Sequence, residues 1–365
     1  MRRRRKKMRL KKIIALFAAA LTASSLVLSG CGDVVEFLNT PAGMKTDASE
    51  VVDQDVTNLE VNYDNKYHIA IASGASGGAY YMVGTALAQV MQQADPNLIC
   101  SSESTGGTNE NLALISSEES QIGMGMADDI VDAYEGNMDF EGMPAVNLRA
   151  ITAGQTNTFQ IFVRKDSDIQ TLEDLKGKNI SLGPSGAPYF VPKLLRSICG
   201  YENGKDYNGQ YLAHDQAADA LSDGNIDAAI ACLAYPASAF ANLAFTKEVR
   251  LIPISDEQAE KAMAANPTWV RGNIPGGTYN GNDADSPSLD IPVWLFTYAD
   301  LDAEAVYRCT KAIFENVDKL AVINAQAGKY NLETATDSIT IPIHPGAQKY
   351  FDEMAEAKLS KGGNE

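Results

Sequence analysis

The sequence predicts an α/β protein built on a largely parallel sheet, and three observations carry that expectation. From Tyr67 onward, short β-branched runs alternate with stretches of helical period, the pattern of repeated strand–helix units. The units fall into two groups with a return to the first, as a two-lobed cleft protein would be organised. With 365 residues, 45% of them apolar, the chain can bury a substantial core and has room for two domains.

Taken in order, residues 67–73 read as a strand and 80–93 as a helix. "LICSSES" is a strand, "TNENLALISS" opens a helix, "QIGMGMA" is a strand, and Asp128 begins another helix. "LRAITA" and "FQIFVRK" follow as two strands, with the apparent end of the first group near Gln155. In the second group, "TLEDLKG" is a helix, "NISLG" a strand and 189–199 a helix. "DQAADALSDG" is a helix ending at Gly224, a residue suited to a left-handed C-cap. "IDAAIACLA" is a strand and "PASAFANLAF" a helix, and the chain returns to the first group near Ile252. After the polar loop "NIPGGTYNGNDADSPS" come the strand "LDIPVWLF" and a helical C-terminal part.

The N-terminus has its own logic. "MRRRRKKMRLKK", an apolar run from Ile13 to Leu28 and small residues after it make a secretory signal, with the run short for a bilayer span. Leu28-Ser29-Gly30-Cys31 resembles a bacterial lipobox, which implies lipidation of Cys31 after removal of residues 1–30. Residues 31–65 are acidic and without sustained period, and are expected to be a flexible tether between lipid and body. The first lobe is then expected to comprise 66–155 and 253–365, and the second 156–252.

Removing 1–30 takes nine basic residues and no acids, leaving 21 Lys and Arg against 47 Asp and Glu, a formal charge of −26. Such a surface repels nucleic acid and anionic lipid. Cys100, Cys199, Cys232 and Cys309 show no C-x-x-C spacing and there are three histidines, so a metal site is not expected. Buried free thiols and a Cys199–Cys232 bridge both remain open readings.

Small-residue loops recur where strand gives way to helix: Gly74-Ala75-Ser76-Gly77-Gly78, Ser104-Thr105-Gly106-Gly107-Thr108 and Gly183-Pro184-Ser185-Gly186-Ala187. Each can aim amide N–H groups and a hydroxyl at an anion near the positive end of a helix dipole. No lysine follows these glycines as a P-loop requires, so a nucleotide is not favoured, and no cofactor is expected.

The first loop also reads G-x-S-x-G, the nucleophile elbow of serine hydrolases, with His214 and His344 downstream of Ser76. A secreted serine hydrolase is therefore the rival reading. Against it, only the acidic stretch precedes the elbow strand, so no upstream oxyanion loop is available.

The segments "SGASGGAYYMVGTALAQ", "ESTGGTNENLALISSEESQIGMGMADD", "LSDGNIDAAIACLAYPASAFANLA" and "IPGGTYNGNDADSPSLDIPVWLFT" resemble the TAXI-type solute receptors of TRAP transporters. The likeness runs in order from about Tyr67 to Glu356. It implies a class II periplasmic-binding-protein fold, two α/β lobes joined by a hinge with the ligand in the cleft. It also implies a non-enzyme, extracytoplasmic receptor that passes a small carboxylate or amino acid, often glutamate-like, to a sodium-driven TRAP permease. Carried over, the ligand residues would be Ser76, Gly77, Gly78, Tyr80 and Tyr81, then Ser104, Thr105, Gly106, Gly107 and Thr108, then Ser185, Gly186 and Ala187, with Asp128 and Tyr235 completing the cleft. Asp128 is the candidate partner for a ligand amino group, or a helix N-cap. Ala79 and Met82 stand where that family usually has Thr and Pro, and Ser185-Gly186-Ala187-Pro188 replaces its usual G-S-G-T.

Overall fold

Strand and helix alternate through the first units as their patterns predict. β1 (Tyr67–Gly74), α1 (Ala79–Ala94), β2 (Leu98–Ser104), α2 (Thr108–Ser116), β3 (Ile122–Met126) and α3 (Ala127–Glu135) follow one another. α1 buries Val83, Ala86, Leu87, Val90 and Met91, the recurrence of three and four residues that puts one helical stripe on a sheet. A Cβ on Gly84 would lie 2.2 Å from Ser73 Oγ, so glycine is what lets α1 settle this close to β1. The structure is a computed structural model, and it describes residues 44–76, 78–184 and 189–362. The expected signal segment, Cys31, Gly77, Ser185, Gly186 and Ala187 lie outside the described residues.

The two strands expected from "LRAITA" and "FQIFVRK" are one, β4 (Leu148–Arg164), of 17 residues. The polar run between them stays in the sheet because it is paired: Asn157 lies opposite Ile291 and Thr156 opposite Pro292, and a register shift between Pro292 and Trp294 absorbs Gly154 and Gln155. Their partner, β10 (Ser286–Tyr298), has 13 residues. Between these two long strands come β5 (Asn179–Ser181), α4 (Phe190–Cys199), β6 (Asn208–Gln210), α5 (His214–Asp223), β7 (Ala228–Leu233), α6 (Ser238–Thr246), β8 (Val249–Leu251), α7 (Asp256–Ala265) and β9 (Val270–Ile274). Gly224 caps α5 at φ 76°, and "TLEDLKG" forms only a 3-10 turn, Leu172–Leu175. α8 (Ala303–Phe314), α9 (Val317–Ile323) and α10 (Pro345–Gly362) close the chain.

The sheet runs β2-β1-β3-β10-β4-β7-β5-β6, with β8 on β4 and β9 on β10. It is mixed rather than largely parallel: β1, β2 and β3 pair in parallel, as do β5, β6 and β7, whereas β4 and β10 pair antiparallel to each other and to their neighbours. One end of β10 (Val293–Phe296) joins β3, while its other end (Ser286–Asp290) joins β9. Likewise Thr158–Val163 of β4 joins β7. Two α/β halves thus share two long strands that cross between them, a mixed α/β architecture.

Along β10 the partner strand changes between Asp290 and Val293. Residues 253–289 bond to one another, Ile254 N–H to Pro287 O at 2.8 Å, and reach the 156–252 stretch through Tyr279, whose hydroxyl contacts Gln160 and accepts from Ala237 N–H. One core lies under the first half (Ile69, Leu87, Leu295) and one under the second (Phe162, Leu221, Phe240). A third, with Ile130, Phe159, Leu194 and Trp269, draws on both.

The expected tether is corrected from Lys45 onward. Val146 N–H bonds Lys45 O at 3.0 Å, Arg149 pairs with Asp53 at 2.7 Å, and Gln54 Nε2 donates to Leu301 O at 2.6 Å. Asn62 N–H and Asn65 Nδ2 donate to Glu304, and Arg308 donates to the carbonyls of Asn62 and Asn65. The stretch lacks periodicity because its partners are on the body, so it is held as an extended strap.

His344, fully buried, starts the last helical segment. Its Nε2 faces Leu301 O at 3.0 Å and its Nδ1 accepts from Gly346 N–H at 3.2 Å, which fixes a neutral ring. Burial pushes its pKa down to about 4, against the opposing Leu301 carbonyl. The folded value lies below the unfolded one, so this contribution is complete above about pH 6.5 and is lost as pH falls toward the folded value, on the order of 3 kcal/mol in all. Denaturant unfolding at pH 7.5 and 4.5 should show a steeper acid loss for the wild type than for His344→Gln. Equal losses would contradict this role.

Candidate functional site

The strand-to-helix corners of the first half are tied to one another. Ser76 N–H donates to Ser104 Oγ at 3.1 Å, and Thr105 N–H to Gly74 O at 3.1 Å. Buried Asn111 donates to Ser73 O and Met124 O and accepts from the Thr105 hydroxyl. Met126 N–H donates to Thr108 Oγ1 at 3.3 Å. The Ser76 and Ser104 corners are therefore brought together.

Their amides are less free than the loop pattern suggests. Gly106 N–H is taken by the Glu110 carboxylate at 2.7 Å, Gly107 N–H faces Thr105 Oγ1 at 3.3 Å, and Gly78 N–H bonds Ala75 O at 2.8 Å. Glu110 in the first turn of α2 already provides the negative charge that a helix N-terminus favours. The expected anion cradle at Gly106 is filled by the chain's own acid.

Asp128 is also committed. Its carboxylate accepts from Trp269 Nε1 at 3.0 Å and from the Thr268 hydroxyl, and pairs with Lys193 at 3.3 Å; Lys193 also pairs with Asp132 at 3.0 Å. Burial pulls the Lys193 pKa down, but the two aspartates outweigh it and hold it above its ordinary value. Asp128 is 5% exposed. The carboxylate ties α3 of the first half to α4 and the segment before β9 in the second.

The polar groups that stay open gather where β4 crosses between halves. Tyr80 points there, its hydroxyl accepting from Asn157 Nδ2 at 3.2 Å, whereas Tyr81 lines an outer groove of about 450 Å³ with Thr85 and Ser102. Tyr235, from the β7–α6 loop of the second half, faces Lys329, whose Nζ lies 5.2 Å from the ring centroid. The Tyr330 ring covers Gly154, where a Cβ would stand 2.4 Å from its Cε1. Asp290 accepts from Thr156 Oγ1 at 2.8 Å, and burial raises its carboxyl pKa against the hydroxyls of Thr158 and Thr156 and the charge of Lys329. Among the described residues, both polar atoms of Gln155 and the Tyr330 hydroxyl are buried without a hydrogen-bond partner.

Gln155, Asn157, Asp290, Lys329 and Tyr330 gather at this crossing, and the sequence pattern had not singled them out as site candidates. The signal for two of them was present: "GQTNT" interrupts a β-branched run, and a polar interruption inside a strand marks a site as readily as a break. Lys329 lies in "NAQAGKYNLE", which has no such pattern.

The histidines are placed elsewhere. His214 packs beside Phe240 in the second half, with ring centroids 6.2 Å apart, and His344 bonds Leu301 and Gly346. The four cysteines are free. Burial pushes Cys100 and Cys199 up to about 12 and raises Cys232 and Cys309 far above an ordinary thiol. Among the described residues, no three metal-ligating side chains cluster and no helix is long and apolar enough to cross a membrane.

The model of the NMT1-like family matches residues 71–354. The chain belongs to the NMT1-like family. Among solved structures, this NMT1-like chain is similar to the periplasmic aliphatic sulphonate binding protein SsuA from Escherichia coli, at 16% identity and TM-score 0.46 over 78% of each chain. It is also similar to the probable amino-acid ABC transporter extracellular-binding protein ytmK from Bacillus subtilis, at 16% identity and TM-score 0.45 over 72% of this chain and 99% of that one.

Proposed function

We propose that this NMT1-like chain is an extracytoplasmic solute receptor that captures a small organic acid, glutamate-like or a related carboxylate, and delivers it to a TRAP-type sodium-coupled permease. In this reading it is a TAXI-type receptor tethered by lipid on Cys31, and it performs no chemistry on its ligand. The supporting observation is the convergence at the β4 crossing: Tyr80 and Asn157 meet from one side, Tyr235 comes from the other half, and buried Gln155 and Tyr330 hold unmet hydrogen-bonding capacity. Buried polar groups without partners cost free energy, so a polar guest that satisfies them gains what the free protein forgoes. Ser76, Gly78, Ser104, Thr105 and Thr108 form the rim, and Gly77, Ser185, Gly186 and Ala187 are carried as further members.

β4 and β10 connect the halves, so small rotations there would open and close the gap around the ligand, and the closed state would be the one the permease recognises. The serine hydrolase reading gains no support from the histidines: His344 is bonded to Leu301 and Gly346, and His214 packs beside Phe240 in the second half.

A thermal-shift screen against amino acids, dicarboxylates, alkanesulfonates and sugars tests the proposal. A ligand that binds only the folded state raises the melting point by mass action, worth about 2.7 kcal/mol at a hundredfold excess over Kd. A shift with at least one carboxylate is expected. A response to neutral sugars alone, or labelling of Ser76 by a fluorophosphonate, would overturn it.

A further inference from the structure

We infer that Lys329 is the residue that binds the ligand's acid group, in a subsite shared with Tyr235, Tyr330 and Gln155. This assignment rests on the receptor reading above and gives it a charge.

An acid held in a gap between two halves needs a compensating cation, and the first-half corners supply little, because Glu110 occupies the Gly106 amide. Of the lysines near the gap, Lys193 is spent on Asp128 and Asp132. Lys329 is different. The residue is exposed although its ammonium is partly buried, and among the described residues that ammonium makes no hydrogen bond and no ion pair; it has the Tyr235 ring at 5.2 Å and feels the more distant charge of Asp290.

The position suits the role. The segment carrying Lys329 crosses β4 beside the strand switch, where Ala153 N–H bonds Ala335 O at 2.8 Å and the Tyr330 ring lies on Gly154. Tyr235 belongs to the opposite half, so the pair spans the gap. A second observation points to a guest at the same place: Tyr330 and Gln155, each 2% exposed, have polar atoms without partners among the described residues. An ammonium, a phenol and a primary amide thus stand along the same crossing, donors of the kind that an oxyanion can engage. Burial lowers the Lys329 pKa against the charge of Asp290, so a bound anion would relieve the cost of a cation held in that setting.

The test is calorimetric titration of L-glutamate and succinate into the wild type, Lys329→Gln and Lys329→Arg. Removing a charge-assisted contact predicts a loss of roughly 10- to 100-fold for Lys329→Gln toward whichever acid binds the wild type. Lys329→Arg should stay within roughly fivefold, because it keeps the charge. Unfolding midpoints of both free variants should match the wild type within about 2 °C, since the residue is exposed. If Lys329→Gln binds as the wild type does, the assignment falls while the receptor reading stands. If the wild type binds neither these acids nor any other carboxylate of the screen, both fall.

Discussion

Arg308→Met is expected to lower the unfolding free energy by about 3–5 kcal/mol, the cost of stripping a buried ion cluster of its cation. Arg308 is 1% exposed, grips Asp95 through Nε at 2.7 Å and Nη2 at 2.9 Å, and pairs with Glu304 at 3.1 Å. The variant would leave two carboxylates in a pocket with little access to water. It would also free the carbonyls of Asn62 and Asn65, the last contacts of the strap before β1. Denaturant unfolding should show the loss, and hydrogen exchange should show faster opening at residues 62–65. A loss below about 1 kcal/mol would mean that the cluster is hydrated and the strap is held by other means.

Asp128→Ala is expected to cost about 2–4 kcal/mol, because it leaves the buried Trp269 Nε1 and Thr268 hydroxyl without an acceptor and breaks the Lys193 bridge. Asp132→Ala should cost less, since Asp132 holds Lys193 alone at a more exposed position. The pair of variants separates two accounts of Asp128. A tie between the halves loses stability in the absence of any ligand. A group that receives a ligand ammonium would leave the free protein as stable as the wild type and lose only affinity.

The individual elements were legible because each has a strong local cause. The buried stripe of α1 has helical spacing, and Gly224 takes the left-handed cap that ends α5. The continuity of β4 was not, since Gly154 and Gln155 look like a break until β10 supplies a partner strand with a register shift. The acidic stretch from Lys45 to Asn65 has the composition of a spacer, and partners about a hundred residues or more away in sequence, Arg149 and Arg308 among them, turn it into a strap.

The candidate site divides in the same way. Glycine and serine at the corners announced turns near helix starts, which is a local fact. Whether those amides are open depends on side chains such as Glu110, which a loop pattern does not weigh. The crossing residues Asn157, Asp290 and Lys329 come from three separate stretches, and nothing local connects them.

The most direct measurement is a crystal structure of the protein grown with the acid that gives the largest thermal shift. The predicted result is density for that acid between the halves at the β4 crossing, with its acid group on Lys329 and its body against Tyr80, Asn157 and Tyr235. Density in the outer groove beside Tyr81 and Ser102, or on the far faces of the helices with the crossing vacant, would contradict the account.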